Sequence, residues 1–161
     1  MEELKNGFAC PGFELKTMGA ESERELIEFN KLCFPKDFWR EEDWDELLCD
    51  PRAVYFAAVT EDGVLAGNAF IYNWKGEHDY VKLMNLSVRP EYRGRGLAKA
   101  LLLRMTEEAQ TTGQKRVCGE TRSTNTAMQR VFESCGFKLA RVEADYYNDP
   151  PEAAYKYVWE E

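Results

Sequence analysis

Leu83-Met84-Asn85-Leu86-Ser87-Val88-Arg89-Pro90-Glu91-Tyr92-Arg93-Gly94-Arg95-Gly96-Leu97-Ala98-Lys99 reads as a strand, a proline-bounded turn, a glycine loop and the start of a helix. Leu97, Leu101, Leu102, Met105 and Ala109 fall at the spacing of one buried helix face. Gly94 and Gly96 free the intervening backbone for conformations that a side chain forbids. Several N–H groups then converge at a helix N-terminus, where the dipole also favours negative charge, which makes an anion cradle suited to phosphate or pyrophosphate. A Walker-type loop would end in Gly-Lys-Ser/Thr, but Lys99 is followed by Ala100. A dinucleotide fingerprint would need a small residue where Lys99 stands.

Further along, residues 116–137 (RVCGETRSTNTAMQRVFESCGF) read as a short strand, a polar turn and a helix with Met128, Val131, Phe132 and Cys135 as its apolar face. Gly136 stands where a helix ends in a left-handed residue, and Phe137 opens the next strand.

The spacing of Arg93, Gly96 and Ala98 resembles the acetyl-CoA loop of the GNAT superfamily of N-acetyltransferases, Arg/Gln-x-x-Gly-x-Gly/Ala. The helix that Asn125 opens and Gly136-Phe137 closes resembles that superfamily's second motif, in the right order and at a matching distance. Together the two motifs cover roughly residues 83–137. The resemblance implies acetyl-CoA as co-substrate and no metal. It places the cofactor on Leu86, Ser87 and Val88, on the loop Arg93, Gly94, Arg95, Gly96, Leu97, Ala98 and Lys99, and on Asn125 and Phe132 of the second motif.

Composition fits one domain spanning residues 1–161 with one core: 44% of residues are hydrophobic and 13% aromatic, as in a folded globule. No apolar run is long enough to span a bilayer and no charged-then-apolar leader opens the chain, so no membrane association is expected. Cys10, Cys33, Cys49, Cys118 and Cys135 form no Cys-x-x-Cys pair and leave an odd one over, the pattern of free thiols in a reducing compartment, here the cytoplasm. One histidine, His78, rules out a histidine-rich zinc site. Residues 89–104 hold five basic side chains against Glu91, a net +4 within a chain of net −8, so the remainder carries −12. A basic island suits an anionic cofactor; an acidic remainder suits a cationic amine and argues against nucleic acid.

Gly12 to Met18 reads as a first strand. A helix follows from Ser22 to Phe34, with Ser22 and Glu25 in a capping-box pattern, and a second runs from Glu41 to Cys49 with Trp44, Leu47 and Leu48 buried. Val54 to Thr60 and Val64 to Trp74 are strands joined by the turn Glu61-Asp62-Gly63, and Tyr80 to Val88 leads into the glycine loop. Phe137 to Asp145 and Tyr155 to Trp159 close the chain. The pattern predicts an α/β (α+β) domain with a mixed sheet and helices on both faces. The resemblance adds a mostly antiparallel sheet and two central strands that splay apart to admit the pantetheine arm.

The implied reaction is attack of a neutral amine on the thioester carbonyl. Glu120, five residues before Asn125, matches a glutamate that acts as general base in members of the ribosomal-protein N-terminal acetyltransferase type. Bordering an apolar cleft, it is expected to have a raised pKa; a structural partner would be Arg116 or Arg122. Many members carry a tyrosine seven residues past the asparagine as the acid for the departing thiolate, whereas this chain has Phe132. A thiolate, with its thiol near pKa 8.5, leaves adequately without one. CFPKDFWREEDWDELLCDP and DYYNDPPEAAY resemble the segments that border the acceptor groove in that type, which puts Phe34, Trp39, Tyr146 and Tyr147 against the substrate. The acceptor is expected to be a peptide or protein N-terminal α-amine. The alternatives are a small amine (polyamine, amino acid or aminoglycoside) or a non-catalytic acetyl-CoA-binding module. The protein is read as a monomer or homodimer.

Overall fold

Strand β2 (Ala53–Thr60) is buried on both faces, and its alternation shows what covers each side. Tyr55, Ala57 and Val59 pack with Leu26, Phe29 and Trp44 of helices α1 (Glu23–Cys33) and α2 (Glu41–Leu48). Phe56 points the other way, into the core cluster that holds Leu101, Leu102 and Met105 of α3 (Leu97–Thr111) and, farther along, Phe132 of α4 (Thr126–Ser134). Two layers of helix thus sandwich the sheet, and each period-2 face finds its own partner. The computed structural model describes residues 10–34, 39–148 and 150–161.

The seven strands are β1 (Phe13–Met18), β2, β3 (Leu65–Asn73), β4 (Tyr80–Val88), β5 (Arg116–Arg122), β6 (Lys138–Tyr147) and β7 (Glu152–Glu160), in the order β1-β2-β3-β4-β5-β7-β6. Every pairing is antiparallel except β4–β5. That parallel ladder is short: Tyr80 to Lys82 face Arg116 to Cys118, and no further rungs follow. Beyond it β4 stays with β3 as far as Val88, while β5 stays with β7 as far as Arg122. The two central strands therefore part like a V, the expected splay. On β4 the register skips from Leu83 to Asn85, so Met84 is an extra residue bulging from the strand.

Two local expectations are corrected. Ser22 caps α1 with its backbone position only; it ends a 3-10 turn (Ala20–Ser22) at φ −106°, ψ 12°, and its side chain makes no capping bond. The extended backbone that aims an N-cap hydroxyl is absent there. At α2 the Asp43 carboxylate instead accepts from the Arg40 N–H at 3.1 Å and from its guanidinium. The last hairpin is tighter than expected: β6 runs to Tyr147, which pairs with Glu152. Residues 35–38 of the acceptor-side segment and residue 149 of that hairpin lie outside the described residues.

Candidate active site

Gly94 and Gly96 adopt φ of +78° and +83°, a region that side chains disfavour, and Gly96 caps α3. The Ala100 N–H is the first to bond within that helix, to Gly96 O at 3.0 Å. The preceding N–H groups at the helix start are left without helical partners. They sit beside a groove of about 460 Å³ whose walls include Ser87, Val88, Arg93, Gly94, Gly96, Leu97, Ala98 and Lys99. A Cβ at Gly94 or Gly96 would meet nothing within 4 Å, so the space over the loop is open for a ligand. Arg93 ties the loop to the strand end through Nε–H to Val88 O at 3.0 Å. Unpaired donors, two basic residues and open space over glycine fit the phosphates of acetyl-CoA.

Two sequence candidates fall outside this groove. Arg95 lays its guanidinium over the Tyr92 ring, 5.4 Å from the centroid, and does not line the wall. Phe132 is fully buried, stacked on Tyr157 at 4.7 Å and tilted on Phe137 at 5.2 Å, and borders neither this groove nor the cavity beside it. Its helix turns Met128 and Val131 to the groove instead. Cys33 and Tyr92 also line it, and the sequence reading missed both.

A second cavity of about 610 Å³ lies across the splay. Phe34, Trp39, Glu120, Tyr146 and Tyr147 all line it, joined by Lys82, Met84 and Arg122. Trp39 is held by its N–H to Asn30 Oδ1 at 3.0 Å and by packing on Trp44 and Phe70. Successive strand residues normally face opposite ways. Tyr146 and Tyr147 share one cavity because β6 is irregular between Glu143 and Tyr147, with Asp145 at φ +54°. Arg122 steadies Tyr147 from above, 4.6 Å from the ring centroid, and donates to Asn148 O at 3.1 Å. The two spaces share Phe34, Leu86, Asn125 and Met128, so they meet at the open end of the V. Asn125 stands at that junction because its Oδ1 accepts from the Met128 N–H at 3.1 Å, capping α4.

Glu120 is paired, but with neither arginine. Lys82 Nζ lies 2.6 Å from Oε1 and Lys156 Nζ 3.4 Å from Oε2. Arg116 pairs with Glu160 and Arg122 with Glu152. Burial pushes the Glu120 carboxyl up, but the Lys82 hydrogen bond, the Tyr146 hydroxyl and the two ammonium charges outweigh it and hold it below its ordinary value. The expected upward shift is therefore reversed: two lysines from neighbouring strands reach the carboxylate that the cleft would otherwise desolvate. Tyr146 is pushed up to about 12 by burial and then by the Glu120 carboxylate, and Tyr147 to about 12 by the same two causes. Both remain hydroxyl donors at neutral pH.

Residues 22–137 match the model of the acetyltransferase (GNAT) family. The chain is 26% identical over 140 residues to a Bacillus subtilis (strain 168) protein provisionally named a ribosomal protein bS18-alanine N-acetyltransferase, covering 87% of this chain and 90% of that one. Among solved structures, the ribosomal-protein-S18-alanine N-acetyltransferase from Escherichia coli superposes with a TM-score of 0.81 at 23% identity, over 92% of this chain and 93% of that one. Arabidopsis thaliana NAA60 in complex with acetyl-CoA gives 0.82 at 17% identity, over 92% and 99%.

Proposed function

The chain belongs to the GNAT acetyltransferase family and is an acetyl-CoA-dependent N-acetyltransferase; we propose that its acceptor is the N-terminal α-amine of a protein or peptide. The observation that carries this reading is the meeting of two spaces at the splay, a glycine-loop groove on one side and the Glu120 cavity on the other. Acetyl-CoA supplies the acetyl group activated as a thioester. The loop and the start of α3 hold its phosphates through backbone N–H groups, with Arg93 and Lys99 adding positive charge. From Leu83 to Val88, β4 pairs with β3 alone, so its groups facing β5 are free to bond a peptide-like arm. A backbone N–H there would stabilise charge developing on the carbonyl oxygen. Holding amine and thioester together at the junction contributes much of the acceleration.

The cavity chemistry favours an α-amine over a polyamine. Glu120 is the one carboxylate among its described lining residues, against Lys82 and Arg122, so the acidity of the chain is not gathered where a polycation would need it. An α-amine of pKa roughly 8 also needs less help to lose its proton than a lysine near 10.4. A carboxylate held below its ordinary value is a weak base, so the easier acceptor suits it. The names of the relatives point to the same acceptor class. Phe34, Trp39, Tyr146 and Tyr147 would wall the first residues of the peptide, and the five free cysteines support placement in the cytoplasm.

Replacing Glu120 with Gln tests the role of the carboxylate. Acetyl-CoA affinity should persist while turnover falls, most severely below the acceptor's pKa, with partial recovery as pH rises. An unchanged pH–rate profile would remove Glu120 from the mechanism.

A further inference from the structure

Glu120 would serve an incoming amine as proton acceptor, yet it is already matched by two ammonium groups. Lys82, from β4, holds Oε1 at 2.6 Å; Lys156, from β7, lies 3.4 Å from Oε2. Lys156 also pairs with Glu143 of β6 at 3.0 Å and sits 4.4 Å over the Tyr146 ring. Among the described residues these are the charged groups facing the carboxylate, together with the Tyr146 and Tyr147 hydroxyls of β6; Arg122, on β5 itself, is engaged with Glu152. All three members of the bracket are well covered, with side chains 27%, 14% and 19% exposed for Lys82, Glu120 and Lys156.

Resting on the acceptor reading above, we propose that Lys82 and Lys156 select the neutral form of the acceptor amine at Glu120. An α-ammonium entering this cavity would be a third cation beside Glu120. Like charges at close range disfavour the protonated form, so the amine's proton leaves to solvent as it binds. What docks is the free amine, the form that attacks. Glu120 then orients the nitrogen through a hydrogen bond and takes the proton that nitrogen sheds once its bond to the carbonyl carbon forms. That proton is far more acidic than that of a free ammonium, so a carboxylate of low basicity can accept it and pass it to the departing thiolate or to solvent. Lys82 and Lys156 touch no reacting atom on this view; they are positioning residues that act through charge. Removing one of them leaves Glu120 with a single partner and lets an ammonium persist.

The test is single-turnover acetylation of a lysine-free peptide with a free α-amine, at saturating peptide, across about pH 5 to 9. Wild type, Lys82→Met, Lys82→Arg and Lys156→Met are compared, with melting curves and acetyl-CoA affinity measured on each. Losing one charge at this range should move the acid limb of the rate upward by about one pH unit in Lys82→Met, roughly tenfold slower below the limb and near wild type above it. Lys156→Met should move the limb in the same direction, and Lys82→Arg should restore it. A purely structural ion pair would lower the melting temperature without moving the limb. An unmoved limb in Lys82→Met, or one moved downward, overturns the inference while leaving the acceptor reading intact. A wild type that leaves the peptide unmodified overturns the acceptor reading and this inference with it.

Discussion

Gly119 should not tolerate even a methyl group. A Cβ built there would lie 2.8 Å from both Cε1 and Cζ of Phe132 and 3.4 Å from Leu83 Cδ2. Carbon atoms in contact prefer about 3.5–4.0 Å, so the ring would have to retreat by nearly an ångström. It has nowhere to go: Phe132 is fully buried and held between Tyr157, nearly parallel at 10°, and Phe137. Overpacking of this kind costs about 1–3 kcal/mol, and the rigid ring puts Gly119→Ala toward the upper end. For a chain of this size, 1 kcal/mol lowers Tm by about 2–4 °C, so the expected fall is roughly 5–10 °C. Thermal denaturation followed by near-UV circular dichroism reads it directly. Phe132→Leu removes the ring edge that causes the clash. The double variant should therefore be less destabilised than the two single changes added together, a coupling that a double-mutant cycle isolates. An unchanged Tm in Gly119→Ala, or strict additivity in the cycle, would refute the packing at the closed end of the V.

At Gly96, φ of +83° makes a β-branched residue strained, and the new side chain would stand in the open space over the loop. Gly96→Val should abolish the rise in Tm that acetyl-CoA produces by mass action, while the protein alone still unfolds cooperatively. Glu152 receives bonds from the Thr124 N–H and hydroxyl at 2.6 and 2.5 Å and from Ser123 at 3.1 Å, pinning the turn before Asn125. Those Thr124 bonds lead the causes that hold its pKa at about 2, below the unfolded value of about 4.3. The stabilisation is therefore complete above about pH 4.5 and is lost as pH falls toward 2. In melting curves taken against pH, Glu152→Gln should lower Tm at neutral pH and flatten the fall on the acid side.

Much of this architecture was legible in the chain. β4 begins and ends where its apolar run predicted, because alternation and the flanking turn and proline leave little freedom. The buried stripe Leu97, Leu101, Leu102, Met105 and Ala109 came out wholly inside, since a 3.6-residue period admits one such face. Periodicity could not separate the two neighbours of α4's stripe. Phe132 and Val131 are both apolar, yet only Val131 reaches the groove. The lysines on Glu120 were hidden for a different reason. Lys82 is 38 residues away in sequence, and only the order β4-β5-β7 brings it and Lys156 to opposite oxygens of one carboxylate. The joint placement of Tyr146 and Tyr147 was reached by family resemblance; its physical cause, the irregular backbone at Asp145, leaves no pattern in the residues themselves.

The most direct measurement asks which nitrogen receives the acetyl group. A peptide bearing a free α-amine and an internal lysine is incubated with the enzyme and acetyl-CoA, and the product is fragmented in a mass spectrometer. Acetylation at the α-amine, with the lysine untouched and an Nα-blocked peptide unreactive, is the predicted result. Acetyl found on the lysine side chain, or transfer only to a free polyamine in a parallel reaction, would contradict it.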